Sequence, residues 1–117
     1  MTLTDDRRMT PAAKSAIATA SRLVVSAASF YEIGQKVRLG KWQEMEAFAE
    51  DLIDWAREDG VDLVPISPDL ARDAAFLDWP HRDPFDRMIA ATALAEGLTL
   101  LSPDAAFDTL PVPRLWS

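Results

Sequence analysis

Residues 81–104, HRDPFDRMIAATALAEGLTLLSPD, spell out a helix that feeds directly into a strand. Asp83 stands where an N-cap accepts from the first turn, and Pro84 suits the first helical position, where no N–H is needed. From Pro84 to about Glu96 the residues are almost wholly apolar helix formers, and Gly97 closes the run. Leu98 to Leu101 is a short apolar run bounded by turn residues, predicted as a buried strand. A capped helix joined to a buried strand by a single glycine is the repeating unit of a parallel sheet.

The same alternation extends outward. Thr10-Pro11 opens a helix to about Ala20, and Arg22 to Val25 is a short buried strand. Ser26 or Ser29 caps a second helix that runs to about Leu39 and stops at Gly40. Trp42 to Glu58 carries Met45, Phe48, Ala49, Leu52, Ile53 and Trp55 or Ala56 at three- and four-residue steps, predicting the longest helix, ended by Gly60. Val61 to Ile66 is a strand, Ser67-Pro68 caps a helix to near Leu77, and the chain turns around Pro80. Beyond Leu101, Asp104 to Phe107 forms one short turn and Val112 to Trp116 a last edge strand. The fold class is therefore α/β, a parallel sheet with helices on both faces in three layers. No linker or repeat divides the 117 residues, so 1–117 is one domain.

Composition narrows the function classes. The apolar fraction of 49% and charged fraction of 26% describe an ordinary folded protein. No run approaches the ~18 apolar residues of a membrane span, and the opening MTLTDDRR is unlike a signal peptide. Without cysteine there is neither disulfide nor thiolate metal site, which agrees with a cytoplasmic setting. Nineteen acidic against 12 basic residues give a net charge of −7, which opposes bulk electrostatic binding of nucleic acid. An acidic protein can still act on RNA when bound cations cancel its carboxylates, or it can be covered by a basic partner.

In a parallel sheet, functional groups gather at the carboxyl ends of the strands. Glu32 lies one to two turns into the helix that follows the first strand, Ser102 and Asp104 directly follow the third, and Asp83 and Asp86 open the helix entering it. Each acid has a structural reading too. Asp83 is a natural N-cap, Asp86 suits the helix dipole, Glu32 can pair with Lys36, and Asp104 fits a turn. Acids on separate elements at one sheet edge suit a hard, oxygen-preferring cation such as Mg²⁺ or Mn²⁺ and the hydrolysis of a phosphodiester.

Ser26-Ala27-Ala28-Ser29-Phe30-Tyr31-Glu32-Ile33, Lys36 to Lys41, the block His81-Arg82-Asp83-Pro84-Phe85-Asp86-Arg87, and Gly97 to Asp104 together resemble the PIN-domain family. They are most similar to the VapC-type ribonuclease toxins of type II toxin–antitoxin pairs. The resemblance covers the chain in order. It implies a Mg²⁺- or Mn²⁺-dependent endoribonuclease, often dimeric, acting on RNA and neutralised by a cognate antitoxin. Carried over by motif, Glu32, Asp86 and Asp104 are the catalytic and metal-holding acids and Asp83 an adjacent one. Ser102 matches the hydroxyl residue preceding the last acid, and it joins Lys36, Arg82 and Arg87 as the RNA or phosphate contacts.

Members of that family usually begin with an apolar strand ending in the first metal-binding Asp. Here Leu3 to Pro11 resembles the loop that follows that strand and its helix, so the chain is expected to lack the strand. Asp5 and Asp6 have no apolar strand before them to replace it. The alternative function is then an impaired toxin remnant that binds an antitoxin or dimerises. A phosphoryl-acceptor receiver domain is set aside, because it needs a late lysine and none follows Lys41. His81, the one histidine, is either a general base or a structural hydrogen-bonder. The four tryptophans are read as packing or interface residues, and the Trp42–Trp55 face is a candidate antitoxin or dimer surface as well as candidate core.

Overall fold

The computed structural model describes residues 10–116. The segment on which the expected loss of a first strand, and the reading of Asp5 and Asp6, both rest lies outside the described residues. In chain order the elements are α1 (Pro11–Thr19), β1 (Val24–Ser26), α2 (Ala27–Arg38), α3 (Leu52–Glu58), β2 (Asp62–Val64), α4 (Pro68–Phe76), α5 (Pro84–Glu96), β3 (Leu100–Leu101) and β4 (Arg114–Leu115). Short 3-10 turns lie at Gln43–Met45, Ala49–Asp51 and Ala105–Thr109.

The caps explain the helix starts. Thr10, Ser67 and Asp83 each accept a hydrogen bond from the first turn through their side chains, and a proline follows each of them. Of the two serines proposed to open α2, Ser26 is the cap, its Oγ accepting from the Ala28 amide at 3.1 Å. Helix α5 ends on Gly97 at φ 65°, a left-handed conformation that a glycine adopts without strain, and the Leu98 amide then donates to the Ala93 carbonyl.

Two expectations need correction. The continuous helix foreseen from Trp42 to Glu58 is two 3-10 turns followed by the seven-residue α3. None of these three starts has a side-chain cap, and the residue before the first turn, Trp42, is non-helical at φ −143° and ψ 72°, so the apolar periodicity is met by turns instead. The strands are parallel as expected but do not form one sheet among the described residues. β1 pairs with β2 (Val25 opposite Leu63), and β3 pairs with β4 (Leu100 opposite Arg114). Each pair stands alone, and a cavity of about 350 Å³ opens between them, lined from both pairs and from α1 and α5.

The main core belongs to the C-terminal half. Trp79, Ala90, Ala93, Leu100, Phe107, Leu110 and Val112 form one buried cluster. The Trp79 indole packs on Phe107 at 5.3 Å between centroids and donates to the Ala106 carbonyl, so its polar end is satisfied.

Candidate metal centre

Four acids reach one edge of the molecule from three separate elements. Glu32 projects from α2 beyond the end of β1, Asp83 and Asp86 sit at the start of α5, and Asp104 caps the 3-10 turn after β3. Two overlapping groups have ligand atoms mutually within 4.8 Å: Glu32, Asp83 and Asp86 in one, His81, Asp86 and Asp104 in the other. Asp86 belongs to both and is the hub. The Tyr31 and Phe85 rings, 5.3 Å apart, hold α2 against α5 one residue away from Glu32 and Asp86.

Burial and crowding set the electrostatics. Burial raises the Glu32 carboxyl above its ordinary value; Asp86 and Asp83 push the same way, and Lys36 opposes them. Asp86 is also raised, first by burial and then by Asp83 and Asp104, against the lowering effect of its bond to His81. That bond joins His81 Nε2 to Asp86 Oδ2 at 2.7 Å. Carboxylates that repel one another at a half-buried edge favour a counter-charge beyond Lys36 and His81, and the oxygen-rich donor set with one imidazole fits a divalent cation. Asp83 keeps its structural role as well, accepting from the Phe85 and Asp86 amides. Asp104 accepts from Ala106, and its own amide donates to Ser102 Oγ at 3.1 Å, so Ser102 shapes the turn that presents the last acid.

The basic residues divide. Lys36 and Arg82 are exposed, and Arg82 makes no hydrogen bond or ion pair among the described residues. Arg87 behaves differently from the phosphate contact expected of it. Its guanidinium donates to the carbonyls of Ala74, Ala75, Leu77, Trp79 and His81, so its hydrogen-bonding capacity goes to the α4–α5 connection. The Trp79 and His81 rings lie 4.7 Å apart, and the clamp thereby fixes the histidine that holds Asp86. Sequence reasoning missed this role of Arg87 and, in weighing His81 as a general base or a structural hydrogen-bonder, did not place it on Asp86. The available signal was spacing: His81 and Arg87 bracket the paired acids within seven residues.

No helix among the described residues is long and apolar enough to cross a membrane. The family model of the PIN domain matches residues 2–112. Ribonuclease VapC22 of Mycobacterium tuberculosis is 32% identical over 114 residues, which cover 94% of this chain and 84% of that protein. No solved structure matches the chain.

Proposed function

The chain belongs to the PIN-domain family, among its VapC-type members, and on that premise we propose that it is an endoribonuclease toxin that uses a divalent cation, Mg²⁺ or Mn²⁺. The observation that carries the reading is the convergence of Glu32, Asp83, Asp86, Asp104 and His81 on two overlapping ligand groups that share Asp86. Glu32, Asp86 and Asp104 would hold the cation, with Asp83 beside them. When bound, the cation would supply Lewis acidity at the scissile phosphate and favour ionisation of the attacking water.

The protein's own residues supply the remainder. His81 orients the Asp86 carboxylate through the 2.7 Å bond between Nε2 and Oδ2. Lys36 and Arg82 steer the RNA backbone toward an otherwise acidic edge, a local compensation for the net charge of −7. Ser102 fixes the Asp104 turn and reaches the same edge. The exposed apolar side chains Phe48, Ile53 and Trp55 offer a surface for the antitoxin or for a second copy in a homodimer. An RNA substrate and an antitoxin partner would both fit a cytoplasmic setting.

The divided sheet favours one second reading, an impaired toxin relative that binds an antitoxin without cutting RNA. Cleavage of an RNA substrate separates the two. The nuclease reading expects cleavage that stops with EDTA, returns with Mg²⁺ or Mn²⁺, and falls on the order of 10³-fold in Asp86→Asn, the loss of several kcal/mol of transition-state stabilisation. Cleavage that persists in EDTA, or that Asp86→Asn leaves intact, would refute it.

A further inference from the structure

The acids of the metal centre are not held alike. Asp83 caps α5, Asp86 lies in its first turn, and Glu32 lies within α2. Asp104 instead stands in a short connection between the two-residue β3 and a 3-10 turn, and it is exposed. The far side of that turn is anchored in the core, where Phe107 is buried and the Ala106 carbonyl accepts from the Trp79 indole at 3.2 Å. The near side is reached by Arg114 of β4, whose guanidinium spans the whole connection. Its Nη1 donates to the Ser102 carbonyl at 3.2 Å, just before Asp104. Its Nε and Nη2 donate to the two carboxylate oxygens of Asp108 at 2.7 and 2.9 Å, beyond Asp104. A forked, two-point grip on a carboxylate fixes direction as well as distance.

The same side chain lies close to the last acid. Arg114 is raised above its ordinary value, first by its hydrogen bonds to Asp108, against the opposing effect of burial, and the charge of Asp104 adds to the rise. With Glu32, Asp83 and Asp86 it makes no hydrogen bond or ion pair among the described residues, so any effect on the site passes through Asp104. Asp104 itself accepts from the Ala106 amide at 2.9 Å inside the span that Arg114 closes. An exposed acid on an unbraced loop loses conformational freedom when a cation binds, and that loss weakens affinity. A brace present beforehand removes the loss from the binding step. On the reading of Asp104 as a ligand of the cation, we infer that Arg114 is a positioning residue for the metal centre: by joining the Ser102 carbonyl to Asp108 across the turn, it holds the Asp104 carboxylate toward Asp86.

Mn²⁺ affinity of the full chain, followed by electron paramagnetic resonance, tests this with a coupled pair of variants. Arg114→Met should weaken Mn²⁺ binding on the order of 10-fold, the scale of a residue that orients a metal ligand. In an Asp104→Asn background the same replacement should change affinity by less than ~2-fold, because the ligand it positions is gone. Arg114→Lys keeps the charge without the fork and should recover little. Asp108→Asn, an exposed replacement that leaves Arg114 in place, should weaken binding by about 3-fold, and it carries the test if an Arg114 variant fails to fold. Unchanged affinity in Asp108→Asn and in the folded Arg114 variants, with Asp104→Asn still weakened, would overturn the inference and leave the metal centre standing. Unchanged affinity in Asp104→Asn would refute that acid as a ligand, and the positioning role with it. Equal losses with and without Asp104 would assign Arg114 to general stability. A raised KM for RNA at unchanged Mn²⁺ affinity, restored by Arg114→Lys, would make it a phosphate contact. Either of these last results also overturns the inference.

Discussion

From Trp79 to Val112 the chain buries its large side chains around one cluster, whereas from Leu39 to Ile66 it leaves Leu39, Phe48, Ile53, Trp55 and Ile66 substantially exposed. The first region is built on a capped helix, a glycine stop and an arginine that ties five carbonyls together. The second has uncapped turns, with Phe48 and Trp55 packed on each other 5.5 Å apart at the surface. The contrast separates scaffold from candidate interface. Asp83, Asp86, His81 and Asp104 stand on the well-packed region, and Glu32 reaches across to them from α2.

The two tryptophans give the sharpest test of this contrast. Trp79→Ala should cost about 3–5 kcal/mol in urea unfolding, since it removes a buried core side chain and its hydrogen bond. Trp55→Ala, at 44% exposure, should cost less than about 1 kcal/mol while weakening any antitoxin or dimer contact. Similar costs for both would erase the distinction between the regions.

Arg87→Met comes next. Leaving part-buried carbonyls without their donor should cost about 2 kcal/mol and lower RNA cleavage by loosening His81 and Asp86. Arg87→Lys should restore little, because one ammonium cannot reach five acceptors. If Arg87→Met instead left stability unchanged and only weakened RNA binding, the phosphate-contact role would return.

The smallest effect concerns charge. Glu32 and Asp86 are both raised above their ordinary values of 4.5 and 3.8, so the folded metal-free protein holds protons that the unfolded chain has already lost. Its stability should therefore rise as the pH falls from neutral through the raised values toward the ordinary ones, then level off. Asp86→Asn should raise the thermal midpoint in EDTA at neutral pH by about 2–6 °C, and Mg²⁺ should stabilise the unmodified protein but not the variant. A midpoint lowered by Asp86→Asn in EDTA would contradict the crowding of charge at this edge.

The sequence is most informative where local chemistry decides the outcome. The Thr10-Pro11, Ser67-Pro68 and Asp83-Pro84 caps, the Gly97 stop and the four strands can all be read from short patterns. So can Glu32, Asp83, Asp86 and Asp104 as acids near one edge, because strand ends and helix starts place them there. The broken helix after Trp42 is not legible, since periodicity survives when 3-10 turns present the same apolar residues. The separation into two strand pairs is also hidden, because pairing depends on residues distant in the chain. Arg87 is read as a phosphate contact and His81 as a general base or structural hydrogen-bonder, since the carbonyl clamp and the bond to Asp86 arise from the folded α4–α5 connection, at which their closeness to the paired acids only hints.

Manganese binding followed by electron paramagnetic resonance bears most directly on the shared site. The unmodified chain should bind Mn²⁺, and Glu32→Gln, Asp86→Asn and Asp104→Asn should each weaken binding by at least ~10-fold, with Asp86→Asn the most severe. Unchanged affinity in both Glu32→Gln and Asp104→Asn would mean that the acids of α2 and of the β3 edge do not share a cation with Asp86, and the metal centre would be refuted.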